Sequence, residues 1–178
     1  MSAAVLVIDV QAVLFDAHPA PFEGPEVVQR INQLTEWART QGLPVLFIQH
    51  EKADTGIAYQ SPGWQLQAGL RVQEQDQRIR KTTPDSFLQT DLEESLRRQG
   101  IDEVLVCGYA SEFCVDTTVR RAAALGFTVK LVADAHTTVD KPHASGAQIR
   151  QHHNASLSCI SSFSGKISAP TLAEIMQG

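Results

Sequence analysis

The sequence lacks the features that support a nucleic-acid surface, a membrane span or an export signal. Its 15 Lys and Arg against 20 Asp and Glu give a net charge of −5. No nucleic-acid partner is expected, because binding to phosphates requires excess positive charge. No apolar run approaches the roughly 18 residues of a membrane helix, so no membrane partner is expected either. The first apolar stretch follows no basic segment and ends at Asp9, which predicts a cytoplasmic protein without a signal peptide.

Cysteine is also scarce. Cys107, Cys114 and Cys159 are an odd number and show no C-x-x-C spacing, so free thiols are predicted rather than disulfides or a zinc site. No linker or low-complexity tract interrupts the 178 residues, and a single domain over residues 1–178 is predicted. No G-x-G-x-x-G follows the first apolar run, which argues against a dinucleotide-binding module.

What the sequence does contain is an alternation of strand and helix patterns. Strands are predicted at residues 3–8, 44–48, 78–81, 104–107, 128–133 and 157–160. Helices are predicted at 25–41, 90–99 with a capping box at its start, 113–125, 144–155, and from Pro170 onward. This alternation predicts a three-layer α/β/α, Rossmann-like fold with a parallel sheet of about six strands. The irregular segment 50–76 is expected to form a lid or a pocket wall.

Such a sheet binds ligands near the carboxyl ends of its strands, which are expected here at Asp9, Gln49-His50, residues 108–114 and Asp134. Asp9 ends the first strand, and desolvation there would raise its pKa toward that of a general base; a helix cap or turn is the alternative. Cys114 is predicted at a helix start, which would lower its thiol pKa, whereas Cys107 and Cys159 are interpreted as core residues. Lys81 is either a solvated surface lysine or an ammonium that stabilises a thiolate.

The residues around these positions resemble the isochorismatase-like cysteine hydrolases. The resemblance rests on residues 7–11 (V-I-D-V-Q), 81–87 (K-T-T-P-D-S-F) and 108–118 (G-Y-A-S-E-F-C-V-D-T-T), and it continues to Ala135. It implies a sheet with the strand order 3-2-1-4-5-6. It also implies a small-molecule substrate and a homo-oligomer, either a dimer or a tetramer.

The same resemblance implies a catalytic triad of Asp9, Lys81 and Cys114. It further implies a cis peptide bond between Tyr109 and Ala110, with the backbone N–H groups of Ala110 and Cys114 forming an oxyanion hole. Asp9 would take the thiol proton, and Cys114 would attack an amide-like carbonyl to form a thioester, which water then hydrolyses.

Aromatic side chains near these motifs are expected to line the substrate pocket. The expected substrate-binding residues are Phe15, His50, Trp64, Tyr109 and Phe113, and Tyr59 and Phe87 are placed in the same wall. Ordinary core packing is the alternative for each aromatic ring, and a hydrogen-bonded loop histidine is the alternative for His50. Gln11 is expected to fix a loop.

The sequence departs from the metal-binding members of this superfamily. Nicotinamidases carry an Asp-x-His pair and a further His, whereas the second strand here ends Gln49-His50-Glu51. A single imidazole cannot form a tight divalent site, so no metal and no other cofactor is predicted. Cys114 favours a metal-independent amidohydrolase that cleaves a C–N bond. The alternative on the same fold is an isochorismatase-type vinyl-ether hydrolase or an ester hydrolase.

Overall fold

The strands form one parallel sheet. A computed structural model of the protein describes residues 2–16 and 18–177. The strands are β1 (Ala3–Ile8), β2 (Val45–His50), β3 (Gln77–Lys81), β4 (Glu103–Tyr109), β5 (Thr128–Thr137) and β6 (Ile167–Ser168). Their order is β3-β2-β1-β4-β5-β6, with every pairing parallel. The predicted fold class and strand order are therefore confirmed.

Helices cover both faces of this sheet. They are α1 (Ala12–Phe15), α2 (Gly24–Thr40), α3 (Leu92–Arg98), α4 (Asp116–Ala124), α5 (Gly146–Ser158) and α6 (Leu172–Gln177). A wide helical turn, Ser111–Val115, leads directly into α4. Among residues 2–16 and 18–177, no helix has both the length and the apolar character needed to cross a bilayer.

The central strand β1 separates two apolar cores. Leu6 and Ile8 belong to the core shared with α4, whereas Val5 and Val7 belong to the core shared with α2. All six residues of β1 are buried. Both faces of a parallel strand are covered by helices, which explains why this stretch is uniformly apolar instead of alternating.

Strand register brings the ends of three strands to one level. Ile8 at the end of β1 pairs with Ile48 in β2 and with Gly108 in β4. Gly108 has a φ of +117°, and a Cβ atom there would collide with the carbonyl oxygen of Ile8. Only glycine fits this approach of two strands. The residues that follow, Asp9 and Tyr109, therefore emerge side by side at the carboxyl edge of the sheet.

The last predicted strand is wrong. Residues 157 and 158 belong to α5, and the sixth strand lies at Ile167–Ser168. Only Leu157 is buried in this stretch, which is the one-sided burial of a helix. Cys159 is exposed beyond the helix, so its interpretation as a core residue is also wrong, whereas Cys107 is buried as predicted.

One helix start also differs from the prediction. The helix expected from residue 90 begins at Leu92, and the Thr90 hydroxyl donates to the Ser86 carbonyl instead of forming a capping box. The capping box in this chain joins Ser145 and Gln148 at the start of α5. A local S/T-x-x-E pattern cannot specify the cap when a turn already uses the hydroxyl.

Candidate active site

Asp9 stands directly after β1 with a left-handed backbone, φ 51°. Its side chain is 2% exposed, and its Oδ2 lies 2.8 Å from the Lys81 ammonium. Its other oxygen, Oδ1, is buried and has no hydrogen-bond partner among the described residues. A buried carboxylate oxygen without a partner is costly, so this atom is available to accept a proton or a donor from a neighbouring group.

Lys81 ends β3 and is fully buried, which excludes the solvated surface lysine considered from the sequence. Its ammonium meets three acceptors: Asp9 Oδ2 at 2.8 Å, the Thr83 carbonyl at 3.1 Å and His50 Nδ1 at 3.3 Å. An ammonium has three N–H donors and no acceptor. These three partners match its hydrogen-bonding capacity and fix its position.

His50 ends β2 and is the register partner of Lys81 across the sheet. Its backbone N–H and C=O both bond the side-chain amide of Gln11. The same amide donates to the Trp64 carbonyl, so Gln11 ties the segment containing Trp64 to the end of β2, the loop-fixing role expected of it. Burial is the largest cause of a lowered His50 pKa, and the positive charge of Lys81 lowers it further.

Cys114 lies in the turn Ser111–Val115 and is partly buried. Its Sγ, a carboxylate oxygen of Asp9 and a ring nitrogen of His50 all lie within 4.8 Å of one another. The structure thus brings Asp9, Lys81 and Cys114 into one cluster, although they are far apart in the chain.

The protonation of Cys114 differs from the sequence-based expectation. Burial, followed by the negative charge of Asp9, raises its pKa to about 12, while the positive charge of Lys81 lowers it. The expected lowering by the helix N-terminus is therefore wrong for the free protein. The thiol rests in its protonated form beside a carboxylate, so it needs a base when it reacts.

The backbone before Cys114 turns sharply. The Tyr109–Ala110 peptide bond is cis, and the Ala110 carbonyl accepts from the N–H groups of Phe113 and Val115. Ser111 connects this turn to β5, because its hydroxyl lies 2.8 Å from Nδ1 of His136. This arrangement holds the backbone around the thiol in one conformation.

The aromatic residues divide between the cavity and the core. Tyr59 lines a cavity of about 570 Å³ together with His50, Glu51, Lys52, Ala53, Thr82 and Pro84. Trp64 is buried and packs edge-on against Tyr59, with ring centroids 5.0 Å apart. Phe87 stacks on Phe127 in the core, so its expected place in the pocket wall is wrong.

Two other expected wall residues, Phe15 and Phe113, are not among those that line this cavity. Phe15 contacts Tyr109 edge to face, with ring centroids 5.9 Å apart. Phe113 is 55% exposed, directly before the thiol residue. Burial raises the pKa of Tyr109, so its hydroxyl stays protonated near neutral pH.

The cavity wall is held by an ion pair. Arg80 forms two bonds of 2.8 Å with the Glu51 carboxylate, and its guanidinium lies 3.6 Å from the Tyr59 ring centroid. A planar guanidinium can make both contacts at once, which a lysine could not. Residues on β3 and on segment 50–76 are thereby connected at the mouth of the cavity.

One group of three possible metal ligands is present within residues 2–16 and 18–177: Asp9, His50 and Cys114. The Lys81 ammonium bonds Asp9 and lies 3.3 Å from His50 Nδ1. Its buried positive charge opposes a second cation at the same atoms. These residues therefore do not fit a divalent metal, and their arrangement suits proton transfer instead.

Comparison with known proteins shows the family of this chain. Residues 3–161 match the family model of the isochorismatase domain. The chain belongs to the isochorismatase family of hydrolases. A crystal structure of an isochorismatase family protein, 34% identical, superposes with a TM-score of 0.86 and covers 95% of this chain and 98% of its own.

Two streptothricin hydrolases from Streptomyces noursei are also similar to this isochorismatase-family chain. They are 38% and 35% identical over 142 and 144 residues, which is 79% and 80% of this chain. The matches cover 51% and 57% of the relatives themselves. The chain therefore spans about half the length of these curated relatives.

Sequence reasoning missed two features of this isochorismatase-family site. The Thr83 carbonyl holds the Lys81 ammonium, and a backbone acceptor leaves no signal in residue type. The contact of Lys81 with His50 was also missed, although both residues end neighbouring predicted strands. A register argument across β2 and β3 could have found that contact.

Proposed function

We propose that this protein is a metal-independent cysteine amidohydrolase that cleaves a C–N bond of a small molecule. The observation that carries the proposal is the buried, unpartnered Oδ1 of Asp9 in the cluster that holds the Cys114 thiol. A protonated thiol beside a free carboxylate oxygen is a nucleophile paired with its base. The relatives named streptothricin hydrolase support hydrolysis as the reaction class.

The first half of the reaction forms a thioester. Asp9 removes the thiol proton as the sulfur of Cys114 attacks the substrate carbonyl carbon, and the C=O electron pair moves onto oxygen. The N–H groups of Ala110 and Cys114 bind this oxyanion. When the carbonyl re-forms, the C–N bond breaks, and protonated Asp9 gives its proton to the leaving nitrogen, which departs as an amine or ammonia.

The second half regenerates the thiol. Asp9, again a carboxylate, takes a proton from water as the water oxygen attacks the thioester carbon. The C–S bond then breaks, and the sulfur recovers the proton from Asp9 while the carboxylic acid leaves. The Lys81 ammonium keeps Asp9 Oδ2 in place, so Oδ1 carries the proton in each step.

The test is ammonia release from a panel of primary amides, ureides and lactams, with lactam opening followed by mass. Cys114→Ala should lower the rate by at least about a thousandfold, because the nucleophile is lost. Cys159→Ala is the matched control, since this exposed thiol lies outside the cluster, and it should retain full activity. Acid-quenched wild-type protein should carry the acyl group on the peptide that contains Cys114.

The same experiment addresses the alternative chemistry. A vinyl-ether hydrolase needs a proton donor but no thiol nucleophile. If Cys114→Ala keeps its activity on a responding substrate, or no acyl-protein forms, the thioester mechanism is wrong. Asp9 would then act as a general acid in an isochorismatase-type reaction.

A further inference from the structure

One ring nitrogen of His50, Nδ1, has a hydrogen-bond partner in the structure, and the other, Nε2, has none among the described residues. The ammonium of Lys81 lies 3.3 Å from Nδ1. Because an ammonium can only donate, Nδ1 must accept, and the neutral ring then carries its proton on Nε2. The tautomer of His50 is therefore set by Lys81, whose other two donors are used by Asp9 and Thr83.

The other ring nitrogen, Nε2, belongs to a residue that lines the cavity. The two ring nitrogens point in different directions, so Nε2 is directed away from the buried ammonium. His50 is half-buried, and it is the one cluster residue that also lines the cavity of about 570 Å³. Within residues 2–16 and 18–177, Nε2 forms no hydrogen bond. His50 thus belongs both to the cluster that contains the thiol and to the lining of the cavity.

We propose that His50 Nε2–H is a substrate-recognition donor that binds a second hydrogen-bond acceptor next to the scissile carbonyl. This inference rests on the proposed function and narrows its substrate class. The favoured substrates are small amides in which a carbonyl, ring nitrogen or carboxylate oxygen lies close to the reacting carbon. Simple alkyl amides leave the donor unpaired, and a site built to bond a polar group discriminates against substrates that lack it.

The groups around His50 keep its ring neutral. The charged and titratable groups around the ring are Lys81, Asp9, Glu51 and Cys114. Burial and Lys81 disfavour the imidazolium, while Asp9, a backbone hydrogen bond with Thr83, and Glu51 favour it to a smaller degree. The ring therefore stays neutral at and above neutral pH, with one donor and one acceptor.

The experiment compares two reagents that alkylate Cys114. Iodoacetamide carries a carbonyl acceptor, and iodoethane carries none. The rate of each reaction is followed on the Cys114 peptide by mass spectrometry, which separates this peptide from the one with exposed Cys159.

His50→Asn keeps an acceptor for Lys81 near Nδ1 but removes the Nε2 donor. His50→Gln places an amide N–H near the Nε2 position, and His152→Asn on the exposed part of α5 is the control.

In His50→Asn, the iodoacetamide-to-iodoethane rate ratio should fall about threefold to tenfold, the loss expected for one hydrogen bond. His50→Gln should keep most of the ratio, and His152→Asn should keep all of it. An unchanged ratio in His50→Asn overturns the proposal. A fall in both rates at a constant ratio also overturns the proposal, because it shows that His50 acts only through Lys81.

A second measurement uses the unmodified protein, so it does not depend on whether variants fold. Long-range 1H–15N correlation spectra should show His50 protonated at Nε2 and not at Nδ1 between pH 7 and 9. A proton on Nδ1 overturns the proposal. Neither readout requires turnover, so a failure of the His50 assignment is distinguishable from a failure of amide hydrolysis in the ammonia assay.

Discussion

Asp9 and Lys81 are 72 positions apart in the chain, yet the Lys81 ammonium bonds one oxygen of the Asp9 carboxylate and leaves the other free. Both side chains are essentially inaccessible to water. The pair therefore has two functions in one contact. Lys81 compensates the buried negative charge, and its fixed position determines which carboxylate oxygen is left without a partner.

Removing the cation should destabilise the protein. In Lys81→Met, the buried Asp9 carboxylate loses its counter-charge, and we expect the free energy of unfolding to fall by about 3 to 5 kcal/mol. Urea denaturation measured at pH 7 tests this. The double variant with Asp9→Asn should recover part of the loss, because no uncompensated charge remains.

The matched control is the surface pair of Arg98 and Glu94, whose side chains are each 71% exposed. Arg98→Met should leave the urea midpoint nearly unchanged, because water screens exposed pairs. Equal losses for Lys81→Met and Arg98→Met would contradict the assignment of a buried, mutually dependent pair.

The thiol should become more reactive when its base is removed. Asp9 raises the pKa of Cys114, so Asp9→Asn should lower that pKa and increase alkylation by iodoacetamide at pH 8 by about tenfold. The same variant should lose amide hydrolysis, because no acid then delivers a proton to the leaving nitrogen. In the wild type, the alkylation rate should rise through pH 10 without a plateau, as the pKa is about 12.

Lys81→Met should change the reactivity of the thiol in the opposite direction, because the ammonium lowers the pKa of Cys114. Its alkylation rate at pH 8 should fall below that of the wild type. A plateau in the wild-type profile near pH 8 would show instead that the thiolate is preformed and that Asp9 does not control it.

Stability should fall in acid because of His136. This ring is fully buried between Ser111 and Asn154, and burial lowers its pKa to about 4. The unfolded chain binds a proton at His136 near pH 6.5, whereas the folded chain binds it only near pH 4. The free energy of unfolding is therefore highest above pH 6.5 and decreases as the pH falls from 6.5 toward 4. Between pH 7 and pH 4.5 this loss is about 2 kcal/mol, measured as the difference between the free energies of urea unfolding at the two pH values.

His136→Asn removes the titrating group. It should be less stable than the wild type at pH 7 but show a shallower decline toward pH 4.5. His152→Asn, which changes an exposed histidine, should keep the wild-type slope. If His136→Asn declines as steeply as the wild type, other groups carry the acid sensitivity.

The close contact between β1 and β4 at Gly108 should tolerate no side chain at that position. Gly108→Ala places a Cβ against the Ile8 backbone at φ +117°, so we expect loss of the cooperative thermal transition in circular dichroism. Gly42 is the control, because it also has a positive φ, +69°, but open space around its Cα. Gly42→Ala should cost only about 1 kcal/mol, and similar melting of both variants would contradict the steric argument.

Local patterns in the sequence predicted the central strands well. A run such as β1 can only be buried on both faces, and that requirement fixes a parallel sheet with helices on both sides. The same reasoning failed for residues 157–160, where a short apolar run fits either a strand or the end of a helix. Such a run is decided by its neighbours, and here α5 continues through it to Ser158.

The sequence by itself determined the fold class, because strand and helix periodicity are properties of the chain, and the resemblance of its motifs to a known family indicated Asp9, Lys81 and Cys114 as the reactive side chains. Tertiary structure decided how those side chains behave. The thiol pKa of Cys114, the free oxygen of Asp9 and the tautomer of His50 depend on burial and on distances between residues far apart in sequence. Electrostatic energy depends on these distances and on the exclusion of water, and neither is recorded in the order of the residues.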